Sequence, residues 1–145
     1  MRSLCAGWYA AVGIVVSACA PGATARLRTL TPAPGTIVTA DSVIEVTVEY
    51  HLRKPDPRQW FLLLLFDARQ GGTRTVADSS RDPQVALRDS AGVITLRQPL
   101  RPAWQDRALR RPFRVWVFLN RTFDGTHSTP IRTFGPFAFR MPSKE

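Results

Sequence analysis

The sequence predicts an all-β fold, a Greek-key sandwich of about seven short strands behind an export segment and a flexible tether. Three observations carry that expectation. Residues 43–52 alternate apolar and polar side chains; a seven-residue apolar run, WFLLLLF, sits between breakers at residues 60–66; and 12 Pro and 9 Gly punctuate a chain of 145 residues. Period two marks a strand with one face in a core, and frequent Pro and Gly leave little room for long helices. The length suits one domain plus a leader.

The leader comes first. Arg2 supplies a positive start, and Leu4 to Val16 is an uncharged, mainly apolar run. Such a run is too short to span a bilayer as a mature helix and suits the apolar region of a signal peptide. The next residues are small, giving Val16-Ser17-Ala18-Cys19. This tetrapeptide resembles the lipobox of bacterial lipoproteins. The resemblance covers only the first 19 residues. It implies that residues 1–18 are removed as a signal peptide helix and that the Cys19 thiol carries a diacylglycerol. The expected partner is then a membrane, held through the lipid on Cys19, and the expected location is the cell envelope. Ala20, where retention signals often place Asp, favours the outer membrane. Two other readings stay open: ordinary cleavage after Ala18-Cys19-Ala20, which leaves Pro21 just past the cut, and an uncleaved anchor helix. Cys5 lies in the apolar run, so a chain starting at Cys19 keeps one thiol and no disulfide is expected.

Residues 19–34 read as a lipidated N-terminus and flexible linker. Ala20 to Pro34, APGATARLRTLTPAP, lacks clear alternation and is rich in Ala, Thr and Pro. Fully extended, it spans about 50 Å at most. The alternative is a first edge strand around Leu27 to Leu30. The folded domain is expected over 35–141, with a short tail at 142–145.

Within that domain, Ile44, Val46, Val48, Tyr50 and Leu52 share one face of a strand, and Glu45, Thr47, Glu49 and His51 share the other. Trp60 to Phe66 reads as a strand buried on both faces. Thr73 to Ala77 and Gln84 to Arg88 are weaker strand candidates. Val93 to Gln98 is a better one, with Ile94 and Leu96 inward. Pro99 to Arg111 reads as a loop with one helical turn. From 113 to 120, Phe113, Val115, Val117 and Leu119 form one face, and Arg114, Trp116, Phe118 and Asn120 the other. A return strand over Ile131 to Met141 follows the Asp124-Gly125 turn signal, interrupted at Gly135-Pro136.

The stretch PGTIVTADSVIEVTVEY resembles the opening of bacterial Ig-like domains. The stretch from Pro112 to Phe139, with FRVWVFLN and its return strand, resembles the last hairpin of a fibronectin type III-like domain. These resemblances cover much of residues 34–141 and imply binding or spacing roles. The chain departs from the Ig pattern in lacking a Cys pair and a Tyr for a tyrosine corner.

Motifs for catalysis are sparse. The sequence holds two His, His51 and His127, and no G-x-S-x-G, phosphate-binding loop, dinucleotide fingerprint or zinc spacing. Glu45, Glu49 and His51 are the metal candidates, but alternate residues on a strand stand about 6.7 Å apart, and a solvated face is the simpler reading. No catalytic residue, metal or cofactor is expected. Asn120-Arg121-Thr122 matches a glycosylation sequon, which reads as chance. The formal charge of +9 comes from Arg, with Lys54 and Lys144 the two lysines. The Arg are scattered rather than clustered, so no nucleic-acid partner is expected.

The aromatic phase gives the binding candidates. If the Val115 row faces the core, Trp116 and Phe118 point outward, joined by the strand that contains Trp60. A sheet face toward water should be polar. Either the segment around Trp104 or the tether covers this face, or it binds a partner, an envelope protein or glycan. The expected function is therefore a non-catalytic, membrane-anchored interaction or structural module. The alternatives are a small enzyme built on Glu45, Glu49, His51 or His127, and a module binding an anionic polymer through Arg101, Arg107, Arg110, Arg111 and Arg114.

Overall fold

The computed structural model describes residues 22–53, 60–76, 84–122 and 128–143. The expected signal peptide, Cys19 and His127 lie outside the described residues. Within them the chain is all-β, with two antiparallel sheets. One sheet has the order β1-β2-β6, built from β1 (Ala23–Thr31), β2 (Val43–Leu52) and β6 (Ala91–Pro99). The other has the order β4-β3-β7-β8, with β5 also on β3. Its strands are β3 (Trp60–Asp67), β4 (Thr73–Arg74), β5 (Gln84–Ala86), β7 (Arg114–Thr122) and β8 (Ser128–Ala138). A single helical turn, α1 (Leu100–Gln105), follows β6.

The period-two rows build the core. Ile44, Val46, Val48, Tyr50 and Leu52 of β2 are buried, as are Leu62, Leu64 and Phe66 of β3 and Val115, Val117 and Leu119 of β7. These rows join one hydrophobic cluster drawn from both sheets. Burying each such side chain contributes about 1.5–3 kcal/mol, so the rows set which face of every strand points in. Phe113, just before β7, meets Phe66 edge to face at 5.6 Å between centroids, and α1 adds Leu100 and Ala103.

The segment read as a tether is the main correction. Ala23 to Thr31 is not linker but β1, an edge strand paired with β2 from Ala23 opposite Leu52 to Thr31 opposite Glu45. The folded domain therefore includes residues from 23 rather than starting at 35. Its alternation is hidden by a bulge. The register shifts between Leu27 and Thr29, so Leu27 faces Val48 and Leu30 faces Val46, three residues apart rather than two. A bulge inserts one residue and flips the phase after it. The remaining inward positions are Ala23 and Ala25, too small to announce a core stripe. After β1, residues 35–38 run beside the end of β8. Val38 N–H donates to Arg140 O at 2.9 Å and Arg140 N–H to Thr36 O at 2.9 Å.

The break expected at Gly135-Pro136 is a bulge within a continuous β8. Val115 pairs with Phe137 and Val117 with Phe134, so Gly135 and Pro136 together oppose Trp116. Gly135 has φ of 112°, and a Cβ there would stand 2.7 Å from Val115 O. Both strain and overlap bar a side chain. Gly135→Ala should therefore destabilise the protein by more than about 1 kcal/mol, because the backbone cannot relieve either problem alone. A denaturant midpoint within error of the unmutated protein would contradict this.

Candidate functional site

The outer faces of the two sheets differ in chemistry. On the β1-β2-β6 sheet the outer face is polar and internally paired. Glu45 Oε1 accepts from Arg97 Nε at 2.7 Å, Arg28 pairs with Glu49, and the Thr47 and Thr95 hydroxyls meet at 2.9 Å. Glu45, Glu49 and His51 thus do not converge: two carboxylates are taken by guanidinium groups and His51 is exposed. Among the described residues no group of three or more His, Cys, Asp or Glu is placed to hold a metal.

An open groove of about 320 Å³ lies at one end of this sheet, lined by Arg26, Glu49, Tyr50, His51, Gly92 and Val93 among others. It brings His51 beside an acid, Glu49, but that acid is the one held by Arg28. Gly92 packs closely on Tyr50: a Cβ there would stand 3.0 Å from the Tyr50 hydroxyl oxygen. Burial raises the Tyr50 phenol above its ordinary value, with the Asp89 charge adding to the effect. A raised folded-state value means that stability is fully present below about pH 10 and is lost as pH climbs through the folded value. The protein should lose stability above pH 10, and Tyr50→Phe should flatten that loss in alkaline denaturation curves. An unchanged alkaline limb in the variant would count against it.

The outer face of the β3-β7 sheet is apolar. Register places Leu63 opposite Phe118 and Leu65 opposite Trp116, with Phe61 opposite Asn120. Leu65 is 8% exposed, while Phe61, Leu63, Trp116 and Phe118 are half-buried. Trp116 and Phe118 pack edge to face at 6.3 Å. Trp60 does not belong to this face. It sits on the core side at 2% exposure, with the Arg121 guanidinium 5.2 Å from its ring centroid. Period two requires this, since Trp60 is in phase with Leu62 and Leu64; Phe61, Leu63 and Leu65 are the residues that the phase sends outward.

Neither expected cover lies on this face. The former tether is β1 of the other sheet, and Trp104 of α1 packs instead on Phe113 at 5.4 Å, beneath Arg111. One end of the face carries charge. Asp67, the last residue of β3, accepts from Trp116 Nε1 at 2.5 Å and pairs with Arg114 Nε at 3.3 Å. Arg110 N–H donates to Asp67 O at 2.9 Å, and Arg69 N–H donates to Ala108 O at 2.7 Å, so both Arg lie on backbone flanking Asp67. Arg69 and Arg110 are exposed. The five arginines proposed from sequence do not form one patch: Arg101 pairs with Asp41, and Arg111 lies over Trp104 and Phe113. Arg69 was missed because its neighbours come from a non-local bridge, Ala68 to Leu109.

No helix of the described residues is long and apolar enough to cross a membrane. Comparison of the chain with protein-family models, curated proteins and solved structures found no match. Removing the indole N–H with Trp116→Phe should lower stability by about 1 kcal/mol, the usual worth of one such hydrogen bond, while keeping the fold. A midpoint equal to that of the unmutated chain in urea would show that the Asp67 contact contributes nothing.

Proposed function

We propose that this protein is a non-catalytic, lipid-anchored envelope domain that holds an acidic polysaccharide on the outer face of its β3-β7 sheet. The carrying observation is the juxtaposition of an aromatic floor, Trp116 and Phe118, with the Arg114 guanidinium on Asp67 and with the exposed Arg69 and Arg110 on the adjoining backbone. Aromatic side chains give rigid contact area for sugar faces, and Arg offers a planar fork matched to carboxylate or phosphate. Arg69, Arg74, Arg110 and Arg114 outnumber Asp67 and Asp106 on these neighbouring segments, so that end of the face suits an anion. Anchoring rests on the lipobox resemblance at Cys19. The Ig-like or fibronectin III-like Greek-key reading is supported by the strand order, in which the chain changes sheets after β2, β5 and β6.

Binding of the mature protein to acidic and neutral polysaccharides at two salt concentrations tests the proposal. Acidic chains should bind, weakening with salt. The double variant Arg69→Glu, Arg110→Glu should bind roughly tenfold more weakly or worse, a loss of about 1.4 kcal/mol, with its thermal midpoint little changed. Equal binding of neutral and acidic chains, or capture of an envelope protein by this face instead, would overturn it. The anchor has its own test: mass spectrometry of membrane-purified protein should find acylated Cys19 at the N-terminus, and an unmodified chain starting at Pro21 would refute it.

A further inference from the structure

The strand that replaces the expected tether shortens the leash on the domain. We infer that the sandwich end holding Gly22, Arg53 and Arg88 is its membrane-facing end, seated on the anionic headgroup layer of the bilayer that anchors Cys19. This rests on the proposed lipidation of Cys19. From Cys19 to the first strand residue, Ala23, the chain spans at most about 14 Å, against about 50 Å for the linker read from sequence. Backbone hydrogen bonds fix which end is near. Arg53 N–H donates to Gly22 O at 2.7 Å, Leu52 N–H to Ser90 O at 2.6 Å, and Leu87 N–H to Trp60 O at 2.9 Å. The start of β1, the end of β2 and the starts of β6 and β3 therefore share one end. Trp104 of α1, beyond the far end of β6, lies at the other. The ten residues of β2 make that separation roughly 33 Å.

The described residues of the near end carry the right charge. Arg53 and Arg88 are exposed, and among the described residues no ion pair engages either; the described acid beside them is Asp89. A spacer of about 14 Å brings them to within roughly one or two Debye lengths of a headgroup layer, where each adds attraction to anionic lipid. The geometry also turns the Asp67 end of the β3-β7 sheet away from the bilayer, since β3 runs from Trp60 at the near end to Asp67 at the far one.

Energy transfer from single tryptophans to a headgroup-labelled lipid tests the seat. The acylated protein is placed in phosphatidylglycerol-containing vesicles, keeping either Trp60 (Trp104→Phe, Trp116→Phe) or Trp104 (Trp60→Phe, Trp116→Phe). Circular dichroism confirms that each is folded. Transfer from Trp60 should exceed that from Trp104 by roughly twofold or more, given the length of the sheet. Two further chains guard against a misfolded variant. A fifteen-residue Gly-Ser insertion after Ala20 should erase most of the difference, and Arg53→Glu with Arg88→Glu should reduce it. Equal transfer from both tryptophans, or more from Trp104, in protein shown to be acylated overturns the seat alone. Absence of acyl groups from Cys19 refutes the anchor and the seat together.

Discussion

The structure depends on one constraint: the inward rows of β2, β3 and β7 bury against each other across the two sheets. Ile44, Leu62, Phe66, Phe113, Val115 and Leu119 are all fully buried, and none can exchange faces without moving its whole strand by one residue. That phase decides every other surface. It sends Glu45, Thr47 and Glu49 out on one sheet, where Arg28, Arg97 and Thr95 answer them. It sends Phe61, Leu63, Leu65, Trp116 and Phe118 out on the other, where Leu63 meets Phe118 and Leu65 meets Trp116. The asymmetry between the faces is thus a consequence of the same burial that folds the chain.

Asp67 is where core and surface meet. It ends β3, and its carboxylate ties the Trp116 indole and the Arg114 guanidinium, so the aromatic ring is held in one orientation on the outer face. Its backbone carbonyl takes Arg110 N–H and thereby docks the segment after α1. A carboxylate at 13% side-chain exposure needs such partners, because an unpaired buried charge would be costly. Exposed Arg69 and Arg110 stand on the backbone to either side of this pair.

Strong alternation made much of this legible in the sequence. The bounds of β2 are those expected, and the inward rows of β2 and β7 follow directly from period two. The helical turn expected between Pro99 and Arg111 is α1. Other features were hidden for physical reasons. The bulge at Arg28 breaks the period of β1, and its small inward Ala residues mimic a linker. The sequence groups Trp60 with the outer aromatics because an unbroken apolar run carries no phase of its own; its burial in phase with Leu62 and Leu64, opposite Arg121, shows that it points inward. The Asp67 cluster joins residues from β3, β7 and two loops, and no local pattern announces such a non-local meeting.

The three tryptophans of the described residues occupy distinct places: Trp116 on the outer face of the β3-β7 sheet, Trp60 on the core side of β3 and Trp104 against Phe113. Their indole N–H signals therefore report which surface a ligand meets. Titrating the mature, isotope-labelled protein with an acidic oligosaccharide and following these signals by NMR tests the central claim most directly. The Trp116 signal should shift progressively while those of Trp60 and Trp104 stay in place. Shifts confined to Trp60 or Trp104, or to residues of the groove around His51, would contradict it.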